Sequence, residues 1–289
     1  MFVAAGTTLF SQRFPTRTYT EADGLSSSMV SDIAQDTNGL IWIATRSGIS
    51  CYDGIVFHNY GAADGLQTAG FSFLTLDEKG ILWTLPENGP LCISRLTDGR
   101  WEYYLCNHGT TESIHFNAFA VHYSGSEPEF LCGSGRDGIY VYKSGTWKHY
   151  STREGLSGDC VHGLAAVGNT VFVATDLGLN LIRNDSVIPC PEIIHTAIPG
   201  VVFALATEGP VPEGIPEKIW LLGENWLGVY KNGAFRIVTR AFHLNTHDNG
   251  HRCFLYLAQT ATFFSVICTT SIASPEIPKQ LNGWTRGMA

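Results

Sequence analysis

Charged side chains are scarce in this chain of 289 residues, of which Asp, Glu, Lys and Arg make up only 15%. A mostly helical protein needs such residues on its solvent-facing helix surfaces, so their scarcity argues against that class. Glycine is abundant instead, with 31 residues, and Phe, Tyr and Trp together make up 12% of the chain. This composition is typical of many short strands joined by tight turns.

Positive charge and long apolar runs are also lacking. The chain has 18 Lys and Arg against 26 Asp and Glu, a formal net charge of −8, so we expect no nucleic-acid partner. No run approaches the roughly 18 apolar residues of a membrane helix, so we expect no membrane insertion by this chain. Residues 1–13 are weakly apolar but have no positively charged start, and we interpret them as a signal-peptide remnant.

Motifs for catalysis and metal binding are few. The eight Cys form no C-x-x-C pair, and we interpret them as small buried hydrophobic residues. No Gly-x-Ser-x-Gly sequence is present. His243, His247 and His251 have a metal-ligand spacing, but the Asn249-Gly250 turn breaks the helix that would align them. We therefore expect no catalytic residue, no metal and no cofactor.

Gly133–Gly138 fits the dinucleotide-binding pattern G-x-G-x-x-G. In that motif a helix follows the glycines and directs its N-terminus at the pyrophosphate. Here a strand-like run, Ile139–Tyr142, takes the place of the helix. We interpret the segment as a structural turn.

One unit of sequence recurs after 41 residues. Asp23–Leu25 recurs as Asp64–Leu66, and Trp42 recurs as Trp83 in the same register. Later copies diverge, but Glu154–Leu156 restarts the unit. The glycine that opens the third strand of each unit is expected at Gly48, Gly89, Gly138, Gly178 and Gly228.

The first unit predicts four strands, over residues 29–34, 40–44, 49–52 and 56–60. Asp36 and Gly39 supply turn chemistry between the first two, and Trp42 is the bulky anchor of the second. Four antiparallel strands in a unit of roughly 40 to 50 residues are the signature of a β-propeller blade. The sequence therefore predicts an all-β fold.

Five clear units and a divergent sixth can be followed, so the ring has six blades or is a truncated seven-bladed one. The segment Phe14–Tyr19 matches a fourth strand with no first three before it, and we expect it to close the ring by completing the last blade. We assign residues 14–274 to the propeller and residues 275–289 to an atypical C-terminal tail.

The unit Asp23–Gly54 resembles the two-component regulator propeller repeat. The resemblance is strong over residues 19–104, moderate to residue 240 and poor beyond. It implies a periplasmic or otherwise extracytoplasmic sensor of a bacterial signalling system, related to the propellers of hybrid histidine kinases and some diguanylate cyclases. The family's kinase, cyclase and β-sandwich modules are missing from these residues, so a fragment, a gene remnant and a stand-alone binding propeller are all open alternatives.

Polar residues in the loops between second and third strands are the best binding candidates. Such loops, together with those that join a fourth strand to the next first strand, lie on one face of a propeller, around its channel. The candidate side chains in them vary from blade to blade in charge and size. Variable polar groups on a rigid scaffold suit a small polar ligand such as a carbohydrate. The candidates are Arg46, Glu87, Asn88, Arg136, Asp137, Asp176, Glu224, Asn225 and Trp226.

Three functions are compatible with this pattern. The leading one is a sensor that binds a ligand and signals through a second propeller or a signalling domain. A protein-interaction scaffold without a small ligand is the second. A propeller lyase or hydrolase acting on glycans is the third, although nothing in the sequence gathers its scattered His, Asp and Glu into a catalytic group.

Overall fold

The computed structural model describes residues 17–66, 70–77, 79–86, 92–105, 114–123, 125–167, 170–189, 201–207, 219–231, 234–240, 251–257 and 264–270. These residues form five four-stranded antiparallel sheets and one two-stranded sheet. Two three-residue 3-10 turns, Glu21–Asp23 and Ala62–Asp64, are the only helical segments among them. The predicted all-β fold and its blade-like unit are confirmed.

Each four-stranded sheet, here called a blade, is built from strands that follow one another in the chain. The strands are β1 (Val30–Gln35), β2 (Ile41–Thr45), β3 (Gly48–Tyr52) and β4 (Phe57–Tyr60) in blade 1; β5 (Phe71–Leu76), β6 (Leu82–Pro86), β7 (Cys92–Thr97) and β8 (Arg100–Leu105) in blade 2; β9 (Phe116–Tyr123), β10 (Pro128–Ser134), β11 (Ile139–Lys143) and β12 (Thr146–Tyr150) in blade 3; β13 (Val161–Val167), β14 (Thr170–Thr175), β15 (Gly178–Arg183) and β16 (Ser186–Pro189) in blade 4; and β17 (Val202–Thr207), β18 (Ile219–Gly223), β19 (Leu227–Lys231) and β20 (Ala234–Thr239) in blade 5. The two-stranded sheet contains β21 (His251–Leu257) and β22 (Phe264–Thr270).

The first strands of consecutive sheets contact one another, from β1 and β5 through to β17 and β21. This places one inner strand of each sheet next to that of its neighbour, as in a propeller. The predicted count of five clear units and a divergent sixth is consistent with five complete blades and a sheet of two strands. The predicted closing strand falls partly on residues 14–16, which lie outside the described residues, and residues 17–20 form no strand.

The turn between the first two strands is built in the same way in blade 1 and in blade 2. One oxygen of Asp36 accepts hydrogen bonds from the backbone N–H groups of Asn38 and Leu40, at 2.9 and 3.0 Å. Its other oxygen accepts the indole N–H of Trp42 at 3.0 Å. Gly39 completes the turn with a φ of 86°, which favours glycine. The predicted turn chemistry of Asp36 is confirmed, and the same carboxylate also orients the tryptophan.

Large apolar side chains fill the space between adjacent blades. Trp42 of blade 1 meets Trp101 of blade 2 edge to face, with centroids 6.3 Å apart. Between blades 4 and 5, Phe172 and Leu221 belong to one buried cluster. Each such side chain stabilises the fold by about 1.5–3 kcal/mol through its burial. Since these clusters join neighbours, each blade depends on the next for its core.

Polar contacts also join neighbouring blades. Asp32 of blade 1 accepts the backbone N–H of Leu74 in blade 2 at 2.8 Å. The Tyr123 hydroxyl of blade 3 donates to Asp77 of blade 2 at 2.8 Å, and burial is the main cause that raises the pKa of Tyr123. These bonds fix the orientation of adjacent blades more specifically than apolar contact alone.

A β-bulge interrupts the start of the first strand in all five blades. In each, the register between the first two strands skips one residue of the first strand, which bends that strand locally. The bulged residues are Ser31, Ser72, Asn117, His162 and Phe203. Their shared position makes them comparable from blade to blade.

Candidate functional site

The hairpins between second and third strands meet the connections between blades at one end of the sheets, which we call the upper face. The first N–H of the hairpin donates to a carbonyl just before the first strand. These bonds join Arg46 to Met29 at 3.2 Å, Gly135 to His115 at 3.2 Å and Asp176 to Cys160 at 3.0 Å. The predicted grouping of the two kinds of loop on one face therefore holds in blades 1, 3 and 4.

A hydroxyl network fixes this face in blade 1. Ser26, in the connection that leads to β1, lies 2.9 Å from the Thr45 hydroxyl and donates its backbone N–H to Ser50 Oγ at 3.0 Å. The Thr45 hydroxyl also donates to the carbonyl of Gly48 at 2.9 Å.

Blade 4 repeats the network with related residues. The hydroxyls of Ser157 and Thr175 are 3.0 Å apart, and Asn180 Oδ1 accepts the Ser157 N–H at 3.0 Å. Both networks lie partly buried at the base of the hairpins. They fix the backbone of the upper face, while its outermost side chains can differ from blade to blade.

Three positions can be compared directly among blades 1, 3 and 4. They are the residue that accepts the first N–H of the hairpin, the bulged residue and the first hairpin residue. We call these three positions the rim set. The rim sets are Met29, Ser31 and Arg46 in blade 1; His115, Asn117 and Gly135 in blade 3; and Cys160, His162 and Asp176 in blade 4. The backbone is alike in the three blades, whereas the chemistry of the side chains differs in each.

The rim set of blade 4 brings together a thiol, an imidazole and a carboxylate. Cys160 Sγ lies 3.7 Å from His162 Nε2. Burial, with a smaller contribution from the Asp176 carboxylate, raises the pKa of Cys160. Burial also lowers the pKa of His162, and Asp176 opposes that shift. Near neutral pH the pair is therefore an uncharged thiol beside an uncharged imidazole.

His162 also contacts the next blade. Its ring meets Phe203, the bulged residue of blade 5, with centroids 5.7 Å apart. The half-buried His162 is thus held between Cys160 and Phe203 on adjoining inner strands. A ligand that reaches the upper face of blade 4 would meet the imidazole in a defined orientation.

Arg46, Arg136 and Asp137 lie exposed on the upper face. Arg46 Nη1 is 3.7 Å from Met29 Sδ. Asp137 accepts a hydrogen bond from the hydroxyl of Tyr140 and lies 3.7 Å from His149 Nε2.

The rings of Tyr140 and His149 stack with centroids 4.5 Å apart. The upper face of blade 3 therefore offers an acidic group, a guanidinium and an imidazole to solvent. This combination can donate and accept hydrogen bonds to a polyhydroxylated ligand.

Trp226 occupies a different environment from the one expected. The exposed Glu224 and Asn225 precede it in the blade 5 hairpin, but its side chain is fully buried. It packs edge to face on Phe235, with centroids 5.4 Å apart, and its indole lies where a Cβ of Gly223 would be. Packing of blade 5 accounts for this tryptophan, so we withdraw it from the binding candidates. Glu87 and Asn88 lie outside the described residues.

Among the cysteines whose side chains the structure describes, all but one follow the expected pattern. Cys51, Cys92 and Cys132 are buried, as predicted, whereas Cys160 is half-buried beside His162. Sequence reasoning missed this pair. The available signal was the alternation Cys160-Val161-His162 at the start of a strand, which places the first and third side chains on the same side.

Two other interpretations of the sequence can be compared with the structure. Gly133–Gly138 ends β10 and forms the hairpin to β11, so its interpretation as a turn is confirmed. His243 and His247 lie outside the described residues, as does the side chain of His251. Within the part of the chain that is described, no group of three or more His, Cys, Asp or Glu is arranged to hold a metal ion. Nor does that part contain a helix long and apolar enough to cross a membrane.

Comparison with known proteins supports the fold and the repeat. The family model described as two component regulator propeller matches residues 24–47. A histidine kinase, P4, from Formosa agariphila is 39% identical over 59 residues, which are 20% of this chain and 4% of the kinase. The resemblance of the repeat to this family is thereby confirmed.

Solved structures with the same fold include an extracellular domain of a putative two component system and an enzyme. The extracellular domain of a putative hybrid two component system from B. thetaiotaomicron has a TM-score of 0.58 and 20% identity, over 91% of this chain and 34% of that domain. Virginiamycin B lyase from Staphylococcus aureus has a TM-score of 0.56 and 14% identity, over 90% of this chain and 86% of the enzyme. The chain thus spans about a third of the length of that extracellular domain. At such identities the likeness concerns the propeller fold.

Proposed function

We propose that this chain, which carries a two-component regulator propeller repeat, is a ligand-binding sensor propeller of a bacterial signalling system. The ligand would bind at the upper face, and its binding would alter how the propeller packs against a second propeller or a signalling domain. The proposed role requires recognition and no turnover.

One observation carries the proposal: the rim sets differ in chemistry although their backbone hydrogen bonds are the same. A purely structural loop would be explained by its packing, as Trp226 is. Arg46 and Asp137, by contrast, are exposed to solvent. Variable polar side chains on a fixed scaffold are the usual arrangement of a recognition surface.

The chemistry of the upper face favours a small polar ligand such as an oligosaccharide. Arg46 and Arg136 supply exposed guanidinium groups, and Asp137 supplies a carboxylate. Such groups bind hydroxyl-rich ligands through several directed hydrogen bonds. The similarity to extracellular domains of two-component systems supports an extracytoplasmic location, where such ligands are met.

A thermal-shift screen against oligosaccharides and small metabolites tests the proposal. A ligand that binds only the folded state raises its melting temperature, and at a concentration of 100 Kd it adds about 2.7 kcal/mol to the free energy of unfolding. We expect at least one compound to stabilise the wild type. Variants Arg46→Ala and Asp137→Ala should lower the affinity for that compound.

Arg100→Ala is the matched control, because Arg100 is equally exposed but begins β8, after the opposite turn of its blade. It should bind the compound as the wild type does. Stabilisation by no compound would contradict the proposal, and so would equal binding by all three variants. A compound that is converted rather than bound would favour the lyase or hydrolase, and capture of a protein partner that upper-face variants abolish would favour the scaffold.

A further inference from the structure

The turn between the third and fourth strands of blade 1 is longer than its counterparts. Two residues join these strands in blades 2, 3 and 4, whereas four, residues 53–56, join β3 to β4. The last two of the four, Ile55 and Val56, are apolar and are exposed by 85% and 47%. Ile55 is the most exposed large apolar residue in the part of the chain that the structure describes. We call Ile55 and Val56 the tip.

Hydrogen bonds hold the tip in one conformation. One carboxylate oxygen of Asp53 accepts the backbone N–H groups of Ile55 and Val56, both at 2.8 Å. The Tyr52 hydroxyl donates to the carbonyl of Gly54 at 2.8 Å. Because the backbone of the tip is already ordered, binding a partner there costs little conformational entropy. The N–H groups of Val56 and Ile55 also lower the pKa of Asp53, so its carboxylate is charged at neutral pH.

An aromatic cluster lies beside the tip. Tyr52 and Phe57, which flank the turn, stack with centroids 4.6 Å apart, and Tyr19 packs on them at 5.1 and 5.5 Å. All three side chains are half-buried, so part of each ring reaches solvent. The exposed Arg17 lies over the Tyr19 ring, with its guanidinium 4.6 Å from the centroid. One corner of blade 1 thus combines an apolar tip that has an acidic base with an aromatic cluster that has a basic edge.

The fold itself does not require this tip. The corresponding turns of blades 2, 3 and 4 consist of polar residues and glycine, and they expose no apolar side chain. They are Asp98 and Gly99, Ser144 and Gly145, and Asn184 and Asp185. Since these blades have the same strand order as blade 1, the two apolar residues of the tip serve something other than the sheet.

We propose that this corner of blade 1 is the interface of a homodimer, in which two copies of the chain pack around a two-fold axis. The tip of each copy contacts the aromatic cluster of the other, so every contact occurs twice. In the same arrangement Asp53 approaches Arg17 of the partner subunit, and opposite charges meet at the rim of the interface. A second copy is the occupant that uses both the tip and the cluster and pairs both charges.

The position of the corner agrees with the rest of the molecule. The β3–β4 turn lies at the end of blade 1 opposite the upper face, because consecutive hairpins of an antiparallel sheet lie at opposite ends. A dimer through this corner therefore leaves the upper faces of both copies open. The patch is at the small end of specific interfaces, so the dimer is weak and reversible.

Sedimentation velocity of the full-length chain over a series of concentrations tests the proposal. We expect a concentration-dependent dimer. Ile55→Ser and Val56→Ser should each raise its dissociation constant at least about tenfold, because every dimer buries each residue twice. Arg17→Glu should raise the dissociation constant as well, since it places a second carboxylate opposite that of Asp53.

Val238→Ser is the matched control for Val56→Ser, because Val238 is similarly exposed, by 43%, but lies in the fourth strand of blade 5. Arg153→Glu is the control for Arg17→Glu, because Arg153 is also exposed but lies in the connection before β13. Both should dimerise as the wild type does. Circular dichroism establishes that each variant is folded.

Three results would overturn the proposal. One is a wild type that stays monomeric up to millimolar concentration, and another is a dimer that survives both tip variants. The third is a monomer that sediments with phosphatidylcholine vesicles through its tip, because the occupant would then be a membrane surface. No small ligand is used, so the result is independent of the sensor screen.

Discussion

The Asp77 carboxylate is a single residue on which two blades depend. It accepts the backbone N–H groups of Lys79 and Ile81 at 2.9 and 2.8 Å and the indole N–H of Trp83 at 2.8 Å. The Tyr123 hydroxyl adds a fourth bond at 2.8 Å. Asp36 makes the corresponding three bonds within blade 1 and is half-buried, whereas Asp77 is buried.

We predict that Asp77→Ala destabilises the protein by about 0.5–1.5 kcal/mol more than Asp36→Ala, the usual net contribution of one hydrogen bond, because the Tyr123 hydroxyl is only half-buried. Urea unfolding of the two variants and the wild type measures the difference in the free energy of unfolding. Equal losses in the two variants would show that the bond from Tyr123 contributes nothing to stability.

At the scale of the element, the 3-10 turn before β5 ends at a glycine, Gly65, that has little space around it. Gly65 has a φ of 100°, and a Cβ there would lie 2.2 Å from the carbonyl oxygen of Trp101. Gly54, in the β3–β4 turn, has nearly the same φ of 99° with no atom within 4 Å of the same point. An alanine at either position would therefore have the same backbone strain, but only the one at position 65 would overlap a neighbouring atom.

We predict that Gly65→Ala is more destabilising than Gly54→Ala by about 1–3 kcal/mol, the usual cost of overpacking. The strain of a left-handed alanine, about 1–2 kcal/mol, is common to both and cancels in the comparison. Thermal unfolding followed by circular dichroism gives the two melting temperatures. If they coincide, the turn must shift away from Trp101 at negligible cost.

Elements were predictable from the sequence where their causes are local. Asp36, Gly39 and Trp42 act within one hairpin, so their spacing predicted β1 and β2 to within a residue of the strands Val30–Gln35 and Ile41–Thr45. Trp226 was misinterpreted because its burial depends on Phe235 in another strand and on the space above Gly223.

The approach of Asp176 to Cys160 and His162 was missed for a related reason, since it results from strand pairing and from the bulge at His162. Neither leaves a mark in the local sequence. Hairpins were thus predictable from their own residues, whereas the composition of the upper face depended on contacts between segments.

At the scale of the whole molecule, each blade is stabilised by its neighbours, as in other repeat proteins. A defect at one contact between blades should therefore spread first to the blades that share it. The hydroxyl of Tyr123 joins blades 2 and 3, whereas that of Tyr52 bonds within blade 1 and the segment before it, to Gly54 and Tyr19.

We predict that Tyr123→Phe accelerates amide hydrogen exchange in blades 2 and 3 and leaves blade 5 unchanged. Tyr52→Phe is the matched control and should act on blade 1. Exchange followed by mass spectrometry at peptide resolution distinguishes the two patterns. Uniform acceleration in every blade after Tyr123→Phe would mean that the molecule opens as one cooperative unit.

The rim sets have a consequence for how such a molecule can diverge. Each comparable set lies within one blade and is supported by hydrogen bonds of that blade and its adjoining connection, as with Thr45 and Ser26 or Thr175 and Ser157. A change at one rim position therefore leaves the supports of the other sets in place. Specificity can evolve one blade at a time, and duplication of a blade adds a new set of three positions without redesigning the existing ones.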